Sequence, residues 1–124
     1  MGGGNDTLIG DAGGDTLVGG ADADRFVYLE TAHSAPPAVD LIIDFGIGAD
    51  VIDLSAIDAR TSLFGNQAFV YGGSSAGVLQ NGVTWVETGG NTVIRADVNG
   101  NTVADIEIVL QGTGLGLSQL NFVL

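Results

Sequence analysis

Large apolar side chains recur every nine residues at the start of the chain: Leu8, Leu17 and Phe26. Each is followed by a second apolar residue, Ile9, Val18 and Val27, and preceded by a Gly- and Asp-rich stretch. Asp6, Asp15 and Asp24 hold the same place in each of three copies, residues 2–9, 10–18 and 19–27. A period of nine is neither helical nor a simple strand alternation. It predicts a six-residue loop and a three-residue strand per copy, each copy one half-turn of a coil. Successive strands then fall on opposite sheets, and residues 18 apart stack at one strand spacing, about 4.8 Å. Asp6 is expected over Asp24 and Leu8 over Phe26, with Leu17 facing them from the other sheet.

Beyond the repeats the patterning changes. Residues 30–39 hold Pro36-Pro37 and read as a loop. Residues 40–58 mix acids with apolar runs and predict two short strands, 40–45 and 50–54, around a Gly46–Gly48 turn, with one helical turn over Ser55–Arg60. Further strands are expected at 67–71, 78–80 and 83–87. A hairpin is expected from 92–97 and 102–110, with Asn99-Gly100 as its turn. Sustained helical periodicity is absent. The pattern divides the chain into a repeat block, 1–29, and a β-rich cap, 30–124.

Charge narrows the chemistry. Fifteen acids, twelve of them Asp, stand against three Arg and no Lys, a net charge of −12. That balance excludes nucleic acid as a partner and opposes compaction through self-repulsion. No apolar run is long enough to span a membrane, and residues 1–7 lack the basic and apolar regions of a signal peptide. Without Cys there is no disulfide and no thiolate metal site. Short carboxylates among glycines suit hard cations, which take oxygen ligands. The copies fit G-G-x-G-x-D-x-U-x, the nonapeptide of calcium-binding parallel β-rolls. Stacked carboxylates repel by several kcal/mol at a dielectric near ~20. A divalent ion between them makes the stack cohesive, while glycines turn the loop carbonyls onto it.

Residues 19–28 followed by Asp40-Leu-Ile-Ile-Asp-Phe-Gly-Ile-Gly-Ala-Asp-Val-Ile-Asp-Leu-Ser55 resemble the C-terminal domain of serralysin-type metalloproteases and the repeats-in-toxin (RTX) modules of other type I-secreted bacterial proteins. Gly65-Asn-Gln-Ala-Phe69 and residues 96–108 extend the likeness over nearly the whole chain. The resemblance implies an all-β fold, a parallel β-roll continuing into a β-sandwich-like cap. It also implies several bound Ca2+ ions and an uncleaved type I export signal at about 111–124. Gly2, Gly4 and Asp6 would share an ion with Gly19, Ala21 and Asp24. Asp11, Gly13 and Asp15 would begin a second site completed by later residues. Gly20, Asp22 and Asp24 would begin a third, with Asp40 as one of two acids supplied after the roll; His33 stands where the other is expected, and Asn121 where the tail usually has an acid. The implied protein is a non-catalytic, secreted, monomeric module. It would be attached to an N-terminal domain and handled by type I secretion machinery. The alternative is an accessory module that holds a polysaccharide such as alginate.

Other signals are weaker. Gly73-Ser-Ser-Ala-Gly77 spells G-x-S-x-G, but the only His, His33, lies upstream in a Pro loop, so a Gly/Ser loop is the plain reading. Asp44-Phe45-Gly46 matches the kinase triplet by chance in a chain without Lys. His33 reads as a surface loop residue. Asp97, Asn99, Asn101 and Asp105 occupy EF-hand-like positions, yet Ile108 replaces the closing Glu, which favours a hairpin turn. Asp44, Asp50 and Asp53 read as solvated acids, with Asp50 the first alternative ligand. Trp85 and Phe122 read as core or rim aromatics.

Overall fold

The nine-residue period folds into two sheets. The computed structural model describes residues 3–46, 49–62, 64–75 and 77–124. Strands β1 (Thr7–Leu8) and β3 (Arg25–Val27) pair in parallel, Thr7 opposite Arg25 and Leu8 opposite Phe26, the expected 18-residue register. Strand β2 (Thr16–Leu17) lies in the other sheet and pairs with β4 (Asp40–Ile42), Leu17 opposite Ile42. That step is 25 residues because the Pro loop is inserted into the coil. A 3-10 turn over Thr31–Ser34 anchors the insertion. The Ser34 hydroxyl accepts the Asp40 N–H at 2.9 Å and donates to the Glu107 carbonyl. Strand β5 (Val51–Asp53) then stacks on β3, Ile52 opposite Phe26.

The remaining strands close the roll as a sandwich-like cap. They are β6 (Val70–Ser74), β7 (Gly82–Thr88), β8 (Asn91–Ala96), β9 (Ile106–Gln111) and β10 (Phe122–Val123). One sheet runs β1-β3-β5-β10, all parallel; the other runs β2-β4-β9-β8-β7-β6. One apolar core lies between them. Phe26, Ile42 and Ile52, the inward residues of successive coils, are fully buried, and Leu8 and Leu17 pack on them half-buried. Phe122 and Phe69 are buried and Trp85 half-buried in the same core.

Several local expectations are corrected. Residues 78–80 form no strand; Gly82 donates to the Leu79 carbonyl, closing a turn. Ser55–Arg60 is not helical, and Ile57 donates to Leu54 in an isolated turn. The tight hairpin is β7–β8, closed by Gly89-Gly90 with φ of 61° and 81°. Positive φ at both central residues is what a two-residue hairpin of the right twist requires. The β8–β9 connection is a longer loop over residues 97–105, not a turn at Asn99-Gly100. Gly48, at the end of the expected 46–48 turn, lies outside the described residues.

Candidate cation sites at the coil edges

Each loop of the roll must reverse the chain within six residues, which forces left-handed backbone at fixed places. Gly4, Gly13 and Asp22, nine residues apart, have φ of 94°, 104° and 74°; Asp11 and Gly20 have φ of 65° and 103°. Asp11 and Asp22 therefore take up the glycine conformation, which Asp tolerates better than most residues. Gly2 lies outside the described residues.

The carboxylates form rungs. The Asp6 N–H donates to Asp24 Oδ1 at 2.9 Å, and the Asp24 N–H donates to Asp50 Oδ1 at 2.9 Å. On the opposite edge of the roll, the Asp15 N–H donates to Asp40 Oδ1 at 2.8 Å. In Asp24 and Asp40 one carboxylate oxygen is thus committed to the preceding coil, and the other is left over. Oδ2 of Asp6, Asp15, Asp24 and Asp40 is buried without a hydrogen-bond partner. Asp24 and Asp40 are essentially inaccessible to solvent. A buried carboxylate oxygen without a donor costs several kcal/mol unless a cation or proton meets it.

The first glycine of a loop marks where those oxygens point. A Cβ on Gly10 would sit 2.9 Å from Asp15 Oδ2 and 3.3 Å from Asp40 Oδ2, so both unpartnered oxygens border one small space. A Cβ on Gly19 would sit 2.3 Å from Asp24 Oδ2. Burial pushes the Asp40 carboxyl above the ordinary range. The Asp15 N–H and the neighbouring Tyr28 hydroxyl pull the other way without cancelling the effect, and the Asp15 charge adds to it. Tyr28 is buried beside Asp40, but its hydroxyl makes no hydrogen bond of normal geometry. Burial, then the Asp40 charge, push its phenol far above the usual range.

Two placements differ from the sequence reading. Asp40 does not join Gly20, Asp22 and Asp24; the inserted loop carries it to Asp15 on the other edge. Asp50, read as solvated, is buried and takes the third rung under Asp24. Its Oδ2 accepts the Gly46 N–H at 2.9 Å, so the stack ends there with no oxygen to spare. Asp44 accepts the N–H groups of Gly19 and Gly20, and Asp22 Oδ2 accepts that of Gly4. Asp44 thus spends both oxygens on backbone donors, and Asp22 one of its two. Asp53 is also buried rather than solvated, held by Ser55 and a 3.5 Å ion pair to Arg25.

His33 is buried rather than on the surface, and its Nδ1 has no partner. Among the described residues no three His, Asp or Glu side chains converge as a metal cluster. A cation here would be held by carboxylate pairs and loop carbonyls. Asp97 is the contrary case: buried, yet accepting N–H groups from Asn81, Asn99, Gly100 and Thr102. Burial raises its pKa, the four donors outweigh that, and the result is lowered. It organises the 97–105 loop and has no free oxygen for an ion. Ser75 of the G-x-S-x-G stretch lies in an exposed loop whose hydroxyl accepts the Gly77 N–H.

The acid before each inward apolar residue continues past the repeats, as Asp40 before Ile42 and Asp50 before Ile52.

A comparison with curated proteins finds no match. One matching solved structure is the solution structure of the AlgE6R3 subunit from the Azotobacter vinelandii mannuronan C5-epimerase. It is 22% identical, covers 96% of this chain and 77% of that one, and superposes with a TM-score of 0.48. A family model describing the serralysin C terminal of peptidase M10 matches residues 1–123. With its nonapeptide coils and β-rich cap, the chain belongs to the serralysin C-terminal family.

Proposed function

We propose that this chain is a calcium-binding module whose folding is driven by the ion, carried by a secreted bacterial protein. The observation that carries this reading is the pairing of donorless buried carboxylate oxygens, Asp15 with Asp40 above all, at points kept open by glycine. Asp6 and Asp24 would hold one ion, with carbonyls of Gly4, Gly19 and Ala21. Asp15 and Asp40 would hold a second, with carbonyls from the Asp11–Gly13 stretch. The ion supplies positive charge where the fold has concentrated negative charge, and so cross-links adjacent coils in a protein without disulfides.

The coupling follows from mass action. At low calcium, a net charge of −12 and unpaired buried carboxylates keep the roll open. At extracellular calcium, sites with dissociation constants of roughly 10⁻⁴–10⁻³ M fill. Each adds about 1.4 kcal/mol at ten times its Kd. Two such sites move a marginal domain across its folding midpoint. In this reading the chain is a non-catalytic part of a larger protein, and residues 111–124 serve as the type I export tail. A polyanion-binding role finds little to work with, since Arg25 and Arg95 face Asp53 and Glu107.

Far-UV circular dichroism during a calcium titration tests the main claim. The expected result is a cooperative gain of β signal in the millimolar range, reversed by chelator. A chain already fully β-structured in chelator overturns it. Deleting residues 111–124 from the secreted protein tests the export role, with loss of secretion expected.

A further inference from the structure

Counting by nines places Tyr28 where the two preceding coils have glycine. Gly10, Gly19 and Tyr28 are equally spaced, and each leads to a rung acid: Asp15, Asp24 and, across the inserted loop, Asp40. At the first two positions the missing side chain leaves room for the carboxylate. A Cβ there would sit 2.9 Å from Asp15 Oδ2 and 2.3 Å from Asp24 Oδ2. At the third the chain places a phenol instead. Tyr28 is 1% exposed, and its hydroxyl lies beside Asp40 and within reach of the Asp15 charge. That hydroxyl is buried without a partner, as are Oδ2 of Asp15 and Oδ2 of Asp40. Three orphaned oxygens therefore fall on one edge of the roll. Packing does not account for the hydroxyl, because a Phe ring would fill the same place without burying an unpaired O–H. His33 is outside the set, since it and the two carboxylates do not converge among the described residues.

We propose that Tyr28 Oη is a third side-chain ligand of the Asp15–Asp40 cation site, a neutral oxygen that the Asp6–Asp24 site lacks. The inference rests on the calcium reading and deepens it. A hard cation takes roughly six to eight oxygens, more than a carboxylate pair provides. Burial and the Asp40 charge keep the phenol protonated, so it adds an oxygen without adding charge. Its lone pair faces the ion while its proton turns to a carboxylate oxygen. At the Asp6–Asp24 edge the corresponding position is Gly19, and water must supply that ligand. The two sites are thereby chemically unequal, although the repeat that builds them is regular.

Calorimetry of calcium uptake by the 124-residue chain and by its Tyr28→Phe variant is the first test. The variant keeps the ring and loses one oxygen. It should bind calcium roughly 10-fold more weakly at one site and keep the other site unchanged. Both sites weakened alike, or neither weakened, overturns the proposal. The second test uses the unmodified chain and does not depend on the variant folding. The chain has two tyrosines, and Tyr71 is engaged in the cap, where its hydroxyl accepts the Trp85 indole N–H at 3.1 Å. With tyrosine labelled by carbon-13 at Cζ, NMR follows both rings as lanthanum, also diamagnetic, replaces calcium in the folded protein. The Tyr28 signal should move and the Tyr71 signal should stay. Calcium uptake with an unmoved Tyr28 signal overturns the ligand proposal alone. No calcium uptake by the unmodified chain overturns the calcium reading itself.

Discussion

The backbone N–H of Asp15 donates to the carboxylate of Asp40, 25 residues later, at 2.8 Å. That bond puts two buried, donorless Oδ2 atoms side by side and makes Asp40 the most informative residue to change. In Asp40→Asn the Oδ1 acceptor for Asp15 is kept, while an amide donor replaces the orphaned oxygen. The calcium-free fold should gain about 1 kcal/mol, from removing an unpaired buried charge. The module should take up one ion fewer. Thermal unfolding in chelator and calorimetric stoichiometry measure the two effects, whose opposite signs separate a ligand from a merely structural acid.

Gly19 and Gly10 should resist substitution for a reason other than backbone freedom. Neither needs a positive φ; what a side chain would meet is the carboxylate, at 2.3 Å for Gly19. Gly19→Ala must push Asp24 off its rung, at a cost of roughly 1–3 kcal/mol, and close the adjacent cation space. Gly3→Ala, with nothing within 4 Å of its Cβ, is the matched control and should be neutral. Denaturant unfolding in calcium tests both.

The roll was legible in the sequence because its period is rigid: nine residues fix the strand, the inward apolar side chain and the carboxylate together. Register 18 between Leu8 and Phe26 followed directly. What hid Asp40's partner was the inserted loop, which stretches the coil from 18 to 25 residues while preserving the side of the roll. A count from the repeats misplaces Asp40, since it cannot foresee that Ser34, tied to Asp40 and Glu107, brings the chain back to the coil. Asp50 was hidden differently. A lone acid near a Gly-rich turn reads as solvated, and its burial depends on the Asp24 N–H arriving from the preceding coil, with Gly46 closing the turn from four residues upstream. In the cap, Asn99-Gly100 looked like a hairpin turn, but the Asp97 carboxylate gathers N–H groups across residues 99–102 and holds a wider loop.

That Asp97 loop gives a pH dependence unrelated to calcium. Its folded-state pKa is lowered, with burial opposed by more numerous backbone donors. A depressed carboxyl contributes stability that is fully present above the unfolded value, about 3.9. The contribution is lost as pH falls through the folded value, because the unfolded chain then binds the proton first. Urea unfolding at saturating calcium should therefore show stability falling below about pH 4. Asp97→Asn should be less stable at neutral pH and flatter in that acid range. A profile for Asp97→Asn parallel to the parent's would show that another group sets the slope.

The final strand links the cap to the proposed calcium dependence of folding. Phe122 is buried, pairs with Ile52 next to the Asp50 rung, and stands 5.5 Å from the ring of Tyr71. Asn121 reinforces the join by donating to the Asp50 carbonyl at 3.1 Å. Phe122→Ala should cost about 3–5 kcal/mol. With two sites, each tenfold rise in calcium returns about 2.7 kcal/mol once both are filling. The folding midpoint should therefore move to calcium roughly ten- to seventy-fold higher, with no loss of ion stoichiometry at saturation. A calcium titration of the variant by circular dichroism, paired with calorimetry, reads both quantities. An unchanged midpoint would mean that the roll folds without its last strand and that the two halves are energetically separate.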